Sequence, residues 1–306
     1  MPERQDLLRF TALVSGQGWH VQDLLRAAEA VGIRLAVCTF ESISLSIGSG
    51  ASGNSSQTIR AGTHVLNDED AVLVRMMPPA GLEPIVFRMD ALHRLVEMGV
   101  PVFDPPRTVE MAVDKALSLA RLQGEGIEVP ATWVGESADE AVAAFEALGG
   151  DVVVKPLFGS EGRGLVRVDD RETCWRVCHA LERVGSVLYL QEYVPNDGWD
   201  ARFMTLGGSV LAAMRRFAPA GDWRANVAQG AKAEAWTQAP GAVCEIADRV
   251  SQVIGGSLLG VDLVRHRDGR WLVLEVNAVP GWRALAGVTG VDVAKEWLLF
   301  VKKSVR

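Results

Sequence analysis

The stretch that most constrains this chain is residues 260–277, GVDLVRHRDGRWLVLEVN, two apolar-rich runs either side of Asp268-Gly269. An Asp-Gly pair between such runs is a strong short-range hairpin signal. With Asp268-Gly269 as a two-residue turn, paired residues have numbers that add to a constant. Arg267 then faces Arg270, and Asp262 faces Glu275, with directly opposed side chains about 4.5–5.5 Å apart at Cβ. Asn277, two residues past Glu275, points to the same face. Neighbours such as Val261, Leu263, Leu274 and Val276 are apolar. Two opposed carboxylates in that company repel each other and are costly to desolvate. A divalent cation with hard oxygen ligands removes both costs, which makes Asp262, Glu275 and Asn277 candidate Mg2+ ligands. Solvent-facing acids on an exposed sheet would explain each acid singly, but not their register.

A second hairpin, DARFMTLGGSVLAAMRR, turns at Gly207-Gly208. The same arithmetic puts Asp200 opposite Arg215, with Arg202 on that face. This is either a cross-strand salt bridge, contributing roughly 0.2–1 kcal/mol, or part of a phosphate-binding group with Arg216, Arg224 and Asn226. Spacing alone does not separate the two. A third element is Lys155, which ends the strand-like DVVVKPL and is poorly placed to decorate a surface. The loop GSEGRG follows, either a plain turn between strands or a loop in which Gly159, Gly162 and Gly164 let backbone N–H groups approach phosphate oxygens. No Gly-Lys-Ser/Thr follows, so this is not a Walker A loop.

The remaining pattern is α/β (α+β). FTALVSG, HVQDLLRAAEAVG and RLAVCTF predict a βαβ start. SISLSIGSGASGNSSQ, rich in Gly and Ser, predicts a flexible loop. Strand AVLVRMM, a helix around FRMDALHRLVEMG and a short strand PVFD lead to Pro105-Pro106, which stops regular structure and marks a domain boundary. The expected units are residues 1–106, 107–191 and 192–306. The second opens with one long helix, TVEMAVDKALSLARLQGEG, capped by Thr108. Gly16-Gln17-Gly18 begins a dinucleotide fingerprint, but the third glycine would fall at Val21, so the N-terminal unit is expected to bind an acceptor substrate. Arg75 and Arg88, beside apolar segments, are either acceptor contacts or ordinary surface arginines.

At 306 residues and 48% hydrophobic, the chain can build two or three cores. Its net charge of -7 argues against general nucleic-acid binding. No apolar signal core or stretch of about 18 apolar residues is present, so neither export nor a membrane span is expected, and a cytoplasmic location fits. Cys174 and Cys178, four apart, share a helix face. Without further ligands at finger-like spacing they read as buried thiols rather than a zinc site.

Taken in order, Lys115, Lys155, GSEGRG, the QEYV run 191–194, Asp200-x-Arg202, Arg224-x-Asn226, Asp262 and Glu275-x-Asn277 resemble the ATP-grasp superfamily over about two thirds of the chain. QEYV, DWRAN, GVDLV and LEVNAVPGW are most similar to the RimK-like glutamate ligases. The resemblance implies an ATP-grasp fold: an N-terminal pre-ATP-grasp domain plus two α+β subdomains that sandwich ATP. It implies that Lys115 and Lys155 hold phosphates, with Gly162 and Gly164 in a lid that closes over ATP. It places Glu192 and Tyr193 beside the adenine, Asp200 near the ribose, and Arg224 and Asn226 on nucleotide and phosphate. Two Mg2+ ions, replaceable by Mn2+, would sit at Asp262, Glu275 and Asn277, and Arg215 with Arg202 would be catalytic. The implied reaction is ADP-forming amide synthesis through an acyl phosphate, joining L-glutamate to a small carboxylate acceptor, with homo-oligomers left open. After Asn226 the chain reads VAQGAKAE where that group carries a basic residue before paired glycines. VRMMPP, FRMDALHR and NAVPGWRAL look more like the tetrahydromethanopterin-type branch. A protein C-terminus or amino-group carrier as acceptor, and a non-catalytic ATP-binding relic, are the alternatives.

Overall fold

The computed structural model describes residues 7–49, 55–159 and 162–306. Strand β1 (Arg9–Val14), helix α1 (Trp19–Val31) and strand β2 (Arg34–Thr39) form the expected βαβ unit. Helix α1 ends where Gly32 adopts the left-handed conformation and its N–H caps Ala28 and Glu29 carbonyls. Next come β3 (Ile43–Ser49), β4 (Ser55–Ala61) and β5 (His64–Val65), then β6 (Ala71–Val74), α2 (Leu82–Glu97) and β7 (Val102–Phe103). Parallel strands in the order β2-β1-β6-β7 make the N-terminal sheet.

The Gly/Ser-rich stretch expected as a loop is largely an antiparallel ribbon, with Ile43 paired to Ala61 and Ile47 to Gln57. Its alternation of Ile43, Leu45 and Ile47 with serines is a period-two signal that the composition obscured. Residues 50–54 lie outside the described part.

Helices α3 (Pro106–Val113) and α4 (Lys115–Gly124) replace the single long helix. Asp114 breaks it: its backbone is extended, and its carboxylate accepts from the Ala116 and Leu117 N–H groups, which caps α4. Thr108 is not the cap. It lies inside α3 with its hydroxyl donating to the Gly255 carbonyl at 3.1 Å.

The middle sheet, in the order β10-β9-β11-β8, is antiparallel, with helices α5 (Ala138–Ala147) and α6 (Arg171–Arg183) packed on it. Its strands are β8 (Thr132–Gly135), β9 (Val152–Lys155), β10 (Val166–Val168) and β11 (Leu188–Glu192). It has its own core, from Ala138 to Leu190, in which Cys174 and Cys178 are buried thiols 3.9 Å apart at sulfur.

The largest sheet runs β14-β13-β12-β15-β16. Its strands are β12 (Trp199–Leu206), β13 (Ser209–Phe217), β14 (Lys232–Ala235), β15 (Leu258–Arg265) and β16 (Trp271–Asn277). Helix α7 (Gly241–Ile254) precedes β15, and α8 (Arg283–Thr289) and α9 (Val293–Ser304) close the described chain. The N-terminal and largest sheets share two cores. One joins Leu13, Val72 and Leu92 to Phe203, Val261 and Val276; the other packs α1 against α9 through Leu24, Ala27, Trp297 and Leu298. Helices α3 and α4 bury Val109, Ala112, Leu119 and Leu122 in the first of these cores. The middle unit has a core of its own, while Tyr189 on the other face of β11 is buried in the first shared core. Among the described residues, no helix is long and apolar enough to cross a membrane.

Candidate functional site

A cleft lies between the middle sheet and the largest sheet, lined among the described residues by five cationic side chains and four carboxylates. Its charge is thus nearly balanced. A polyanion fits there best if it brings divalent cations with it.

The middle sheet supplies the lysines. Lys155 ends β9, and its Nζ donates to Gln191 Oε1 at 2.5 Å. Gln191, on β11, donates its own amide to Thr132 Oγ1 at 3.0 Å and to the Tyr189 hydroxyl at 3.2 Å. Burial pushes Lys155 down to about 8, against the pull of Glu275. Lys115, the first residue of α4, donates to the Leu157 and Gly159 carbonyls at 3.3 and 2.8 Å, and burial lowers it as well. Gln191 is a site residue that the sequence offered only as the first letter of QEYV. Its proximity to Lys155 follows from strand pairing: Tyr189 opposes Lys155 on β9, which puts Gln191 two residues along the same face.

At the end of β11, Glu192 accepts from the Ala131 N–H at 3.0 Å. The Tyr193 ring lies under the Arg167 guanidinium at 3.5 Å and edge-on to Trp223. Both line the cleft, with Arg224, Asn226 and Gly162. Asp222 holds Arg224, accepting from its backbone N–H at 2.9 Å and from Nη2 at 2.8 Å. Gly162 has φ +70°, and a Cβ there would lie 2.4 Å from Asn226 Oδ1, so the close approach of these two segments requires glycine. Gly164 packs near Pro156 and is not part of the cleft lining. Ser160 and Glu161, the centre of the expected lid, lie outside the described residues.

The largest sheet supplies a ladder of charges. Asp200 on β12 accepts from Arg216 Nε and Nη2 at 2.6 and 2.8 Å, and Arg216 Nη2 lies 3.0 Å from Asp262 Oδ2. Arg202 makes a two-pronged contact with Asp262, through Nε and, at 2.7 Å, through Nη2. Arg202 Nη2 is 4.0 Å from Glu275, whose Oε1 accepts from Asn277 Nδ2 at 3.3 Å. Burial would raise the Asp262 carboxyl, but Arg202 and Arg216 outweigh it and hold it well below the usual range.

Two register readings need correction. Asp200 pairs with Arg216 and not with Arg215, because a β-bulge between Met204 and Thr205 shifts the first hairpin by one residue. Arg215 therefore leaves the cleft and lies near Trp199, Phe217 and Glu234, at 5.8 and 5.4 Å from the ring centroids and 3.6 Å from the carboxylate. In the second hairpin Asp262 does pair with Glu275, but for two compensating reasons. The turn is one residue longer than assumed, with the His266 N–H bonded to the Arg270 carbonyl, so Arg267 does not face Arg270. A bulge between Asp262 and Leu263 restores the original register. The two acids are also not an unrelieved repulsive pair, since Arg202 lies against both.

Arg75 and Arg88 do not present themselves to an acceptor. Each is at most 7% exposed, and each donates to a backbone carbonyl, Pro280 for Arg75 and Pro78 for Arg88. Neither is an ordinary surface arginine either, since both side chains are buried.

Among the described residues no three His, Cys, Asp or Glu side chains form a metal cluster. The donor set at the hairpin is instead two carboxylates and an amide, of which Glu275 and Asn277 engage each other only weakly. Such a set fits Mg2+, which takes a few protein oxygens and completes its shell with water and phosphate.

Residues 112–301 match the RimK-like ATP-grasp domain. The chain is 27% identical to the tetrahydromethanopterin:alpha-L-glutamate ligase of Methanosarcina acetivorans over 95% of this chain and 97% of that protein. It is 31% identical to the ribosomal protein bS6–L-glutamate ligase of Salmonella paratyphi B, over 74% of this chain and 76% of that one. Its fold is that of the ATP-grasp ligase PsnB, solved with Mg, ADP and a phosphomimetic variant of a minimal precursor: TM-score 0.74, 21% identity, 97% and 98% of the two chains covered. The chain belongs to the RimK-like ATP-grasp family, ATP-dependent ligases that form amide bonds.

Proposed function

We propose that this ligase adds L-glutamate to a carboxylate on a small tetrahydromethanopterin-type cofactor, in the cleft between the middle and largest sheets. The observation that carries the choice of acceptor is coverage. Similarity to the tetrahydromethanopterin ligase spans 95% of the chain and so includes the N-terminal sheet, whereas the match to the bS6 ligase spans 74%. In an open parallel sheet ligands bind at the carboxyl ends of strands where the strand order reverses, here between β1 and β6. The higher identity to the bS6 ligase supports a second reading, in which the acceptor is a protein C-terminus.

In the favoured reading Lys115 and Lys155 hold the ATP phosphates, and Gln191 orients Lys155. Glu192 and Tyr193 flank the adenine, Asp200 lies near the ribose, and Arg224 and Asn226 reach the nucleotide from the facing segment. The acceptor carboxylate takes the γ-phosphoryl group and ADP leaves. The glutamate amine then attacks the acyl carbon of that acyl phosphate, the amide C–N bond forms with loss of the amine proton, and inorganic phosphate leaves. Arg216 and Arg202, the guanidinium groups of the ladder, replace Arg215 as the candidates to stabilise the acyl phosphate and the tetrahedral intermediate. Mg2+ at Glu275, Asn277 and Asp262 would neutralise charge on the phosphates. Exclusion of water matters because acyl phosphates hydrolyse.

The burial of Lys155 gives this reading a pH signature. Below about 8 the lysine is charged in the free protein. Above that it is neutral, and a phosphate then binds only with uptake of a proton. ADP affinity without metal is expected to be flat up to pH 8 and to fall by up to about tenfold per pH unit above it. Calorimetry at pH 7, 8 and 9 checks this, and constant affinity across the range argues against Lys155 as a phosphate ligand. The acceptor is tested by ADP release with L-glutamate and either a tetrahydromethanopterin-type cofactor or the bS6 protein. The proposal expects glutamate-dependent turnover with the cofactor. Turnover with bS6 alone rejects it.

A further inference from the structure

The N-terminal domain grips the hairpin β15–β16 at its open end, on both strands. Asp104, just after β7 and 2% exposed, accepts from the Ser257 N–H, one residue before β15, at 2.5 Å. Arg75, just after β6, donates from Nη2 to the Pro280 carbonyl at 3.0 Å, three residues beyond Asn277. Its guanidinium lies 4.3 Å from the centroid of the Trp282 ring and 5.5 Å from that of Trp297. His20 on α1 accepts from the Trp282 backbone N–H at 3.1 Å, and Asp23 from the Trp282 indole at 2.8 Å. The segment that leaves the candidate metal strand is therefore fixed by three side chains of the N-terminal domain, Arg75, His20 and Asp23, while Asp104 holds the entry to β15.

A path leads from this clamp to the cleft. Pro280 packs on Gly260, which pairs with Asn277 across the hairpin. A Cβ built on Gly260 would stand 3.0 Å from Pro280 Cβ and 3.4 Å from Arg202 Nη1, so Pro280, Gly260 and the guanidinium that holds Asp262 are stacked without spare room. Moving the Pro280 carbonyl would disturb both Asn277 and the Arg202–Asp262 pair. A buried arginine is expensive to keep: burial pushes Arg75 down to about 9 even with the Asp104 charge opposing it. A hydrophobic residue would have packed the same interface more cheaply, but without a directed bond to Pro280.

We propose that Arg75 and Asp104 are positioning residues that hold Glu275, Asn277 and Asp262 in register, so that the N-terminal domain sets the affinity for the divalent cation. This rests on the metal reading of the hairpin given above. It assigns Arg75 a task that needs no contact with acceptor, nucleotide or metal.

The test is Mn2+ binding to the ADP-loaded protein, followed by electron paramagnetic resonance of free Mn2+, beside calorimetry of ADP binding in EDTA. Arg75→Met is expected to weaken Mn2+ about tenfold, the scale for groups that orient metal ligands, and to leave ADP binding in EDTA nearly unchanged. Arg75→Lys, which keeps the charge but loses the planar stack on Trp282, is expected to fall between. Folded Arg75→Met with wild-type Mn2+ affinity overturns the proposal, as does an equal loss of ADP binding without metal. If Arg75→Met does not fold, Asp104→Asn serves. It keeps an acceptor for the Ser257 N–H and removes the charge that faces Arg75, and unchanged Mn2+ affinity in that variant overturns the proposal as well. Glu275→Gln separates the layers. If it binds Mn2+ like the wild type, the metal reading fails and the positioning role with it. If it weakens Mn2+ while Arg75→Met does not, only the positioning role fails.

Discussion

Glu275→Gln is expected to reduce amide formation about a thousandfold while leaving the ligand-free protein as stable as the wild type. The first half follows from charge: removing a carboxylate donor forfeits several kcal/mol of transition-state stabilisation by the cation, and each 1.36 kcal/mol is tenfold in rate. The second half follows from Glu275's partners. It is a quarter exposed, accepts one 3.3 Å bond from Asn277 and stands 4.0 Å from Arg202. Ion pairs of that kind contribute about 0–1 kcal/mol. Thermal unfolding without ligand and ADP formation with it, on one variant, check both halves. Near wild-type turnover removes Glu275 from the site, and a large loss of stability shows that the residue serves the fold.

Asp262→Ala is expected to behave differently, although the two carboxylates face each other across one hairpin. Asp262 is buried and takes three bonds from two guanidinium groups that are themselves only 12% and 5% exposed. Removing it strands Arg202 and Arg216 with too little compensating charge. Breaking a buried pair in this way costs about 3–5 kcal/mol. Denaturant unfolding should register that loss before any ligand is added, and activity should fall with it. A stability within error of the wild type would mean that the arginines find other partners, and the ladder would lose its structural role.

The contrast between these two acids was not legible in the sequence. Hairpin arithmetic placed Asp262 opposite Glu275 correctly, yet two offsetting irregularities lie beneath that success: a longer turn at residues 266–270 and a bulge after Asp262. In the other hairpin a lone bulge had nothing to offset it, so Arg216 took the place expected for Arg215. Bulges depend on local twist and packing across the sheet, and no residue in DARFMTLGGSVLAAMRR announces one. Local signals fared better. The βαβ start, the two-residue turn at Gly207-Gly208, the presence of a hairpin around Asp268-Gly269 and the helix α6 with its buried cysteine pair came from periodicity and turn chemistry alone. Asp114 was readable too, as a capping residue two and three positions before the N–H groups it holds, but the apolar pattern ran through it and hid the break. What depended on distant segments was lost. Gln191 beneath Lys155, Arg167 on Tyr193, and Arg75 bonded 205 residues away to Pro280 arise only when the sheets assemble.

The account stands or falls on where a nucleotide binds. A crystal structure of the protein with ADP and Mg2+ is the direct measurement. The account expects the phosphates within bonding distance of Lys155 Nζ, the adenine beside Glu192 and Tyr193, and the cation on Glu275 and Asn277. ADP bound instead at the carboxyl ends of β1 and β6, with the cleft between the middle and largest sheets empty, would contradict it.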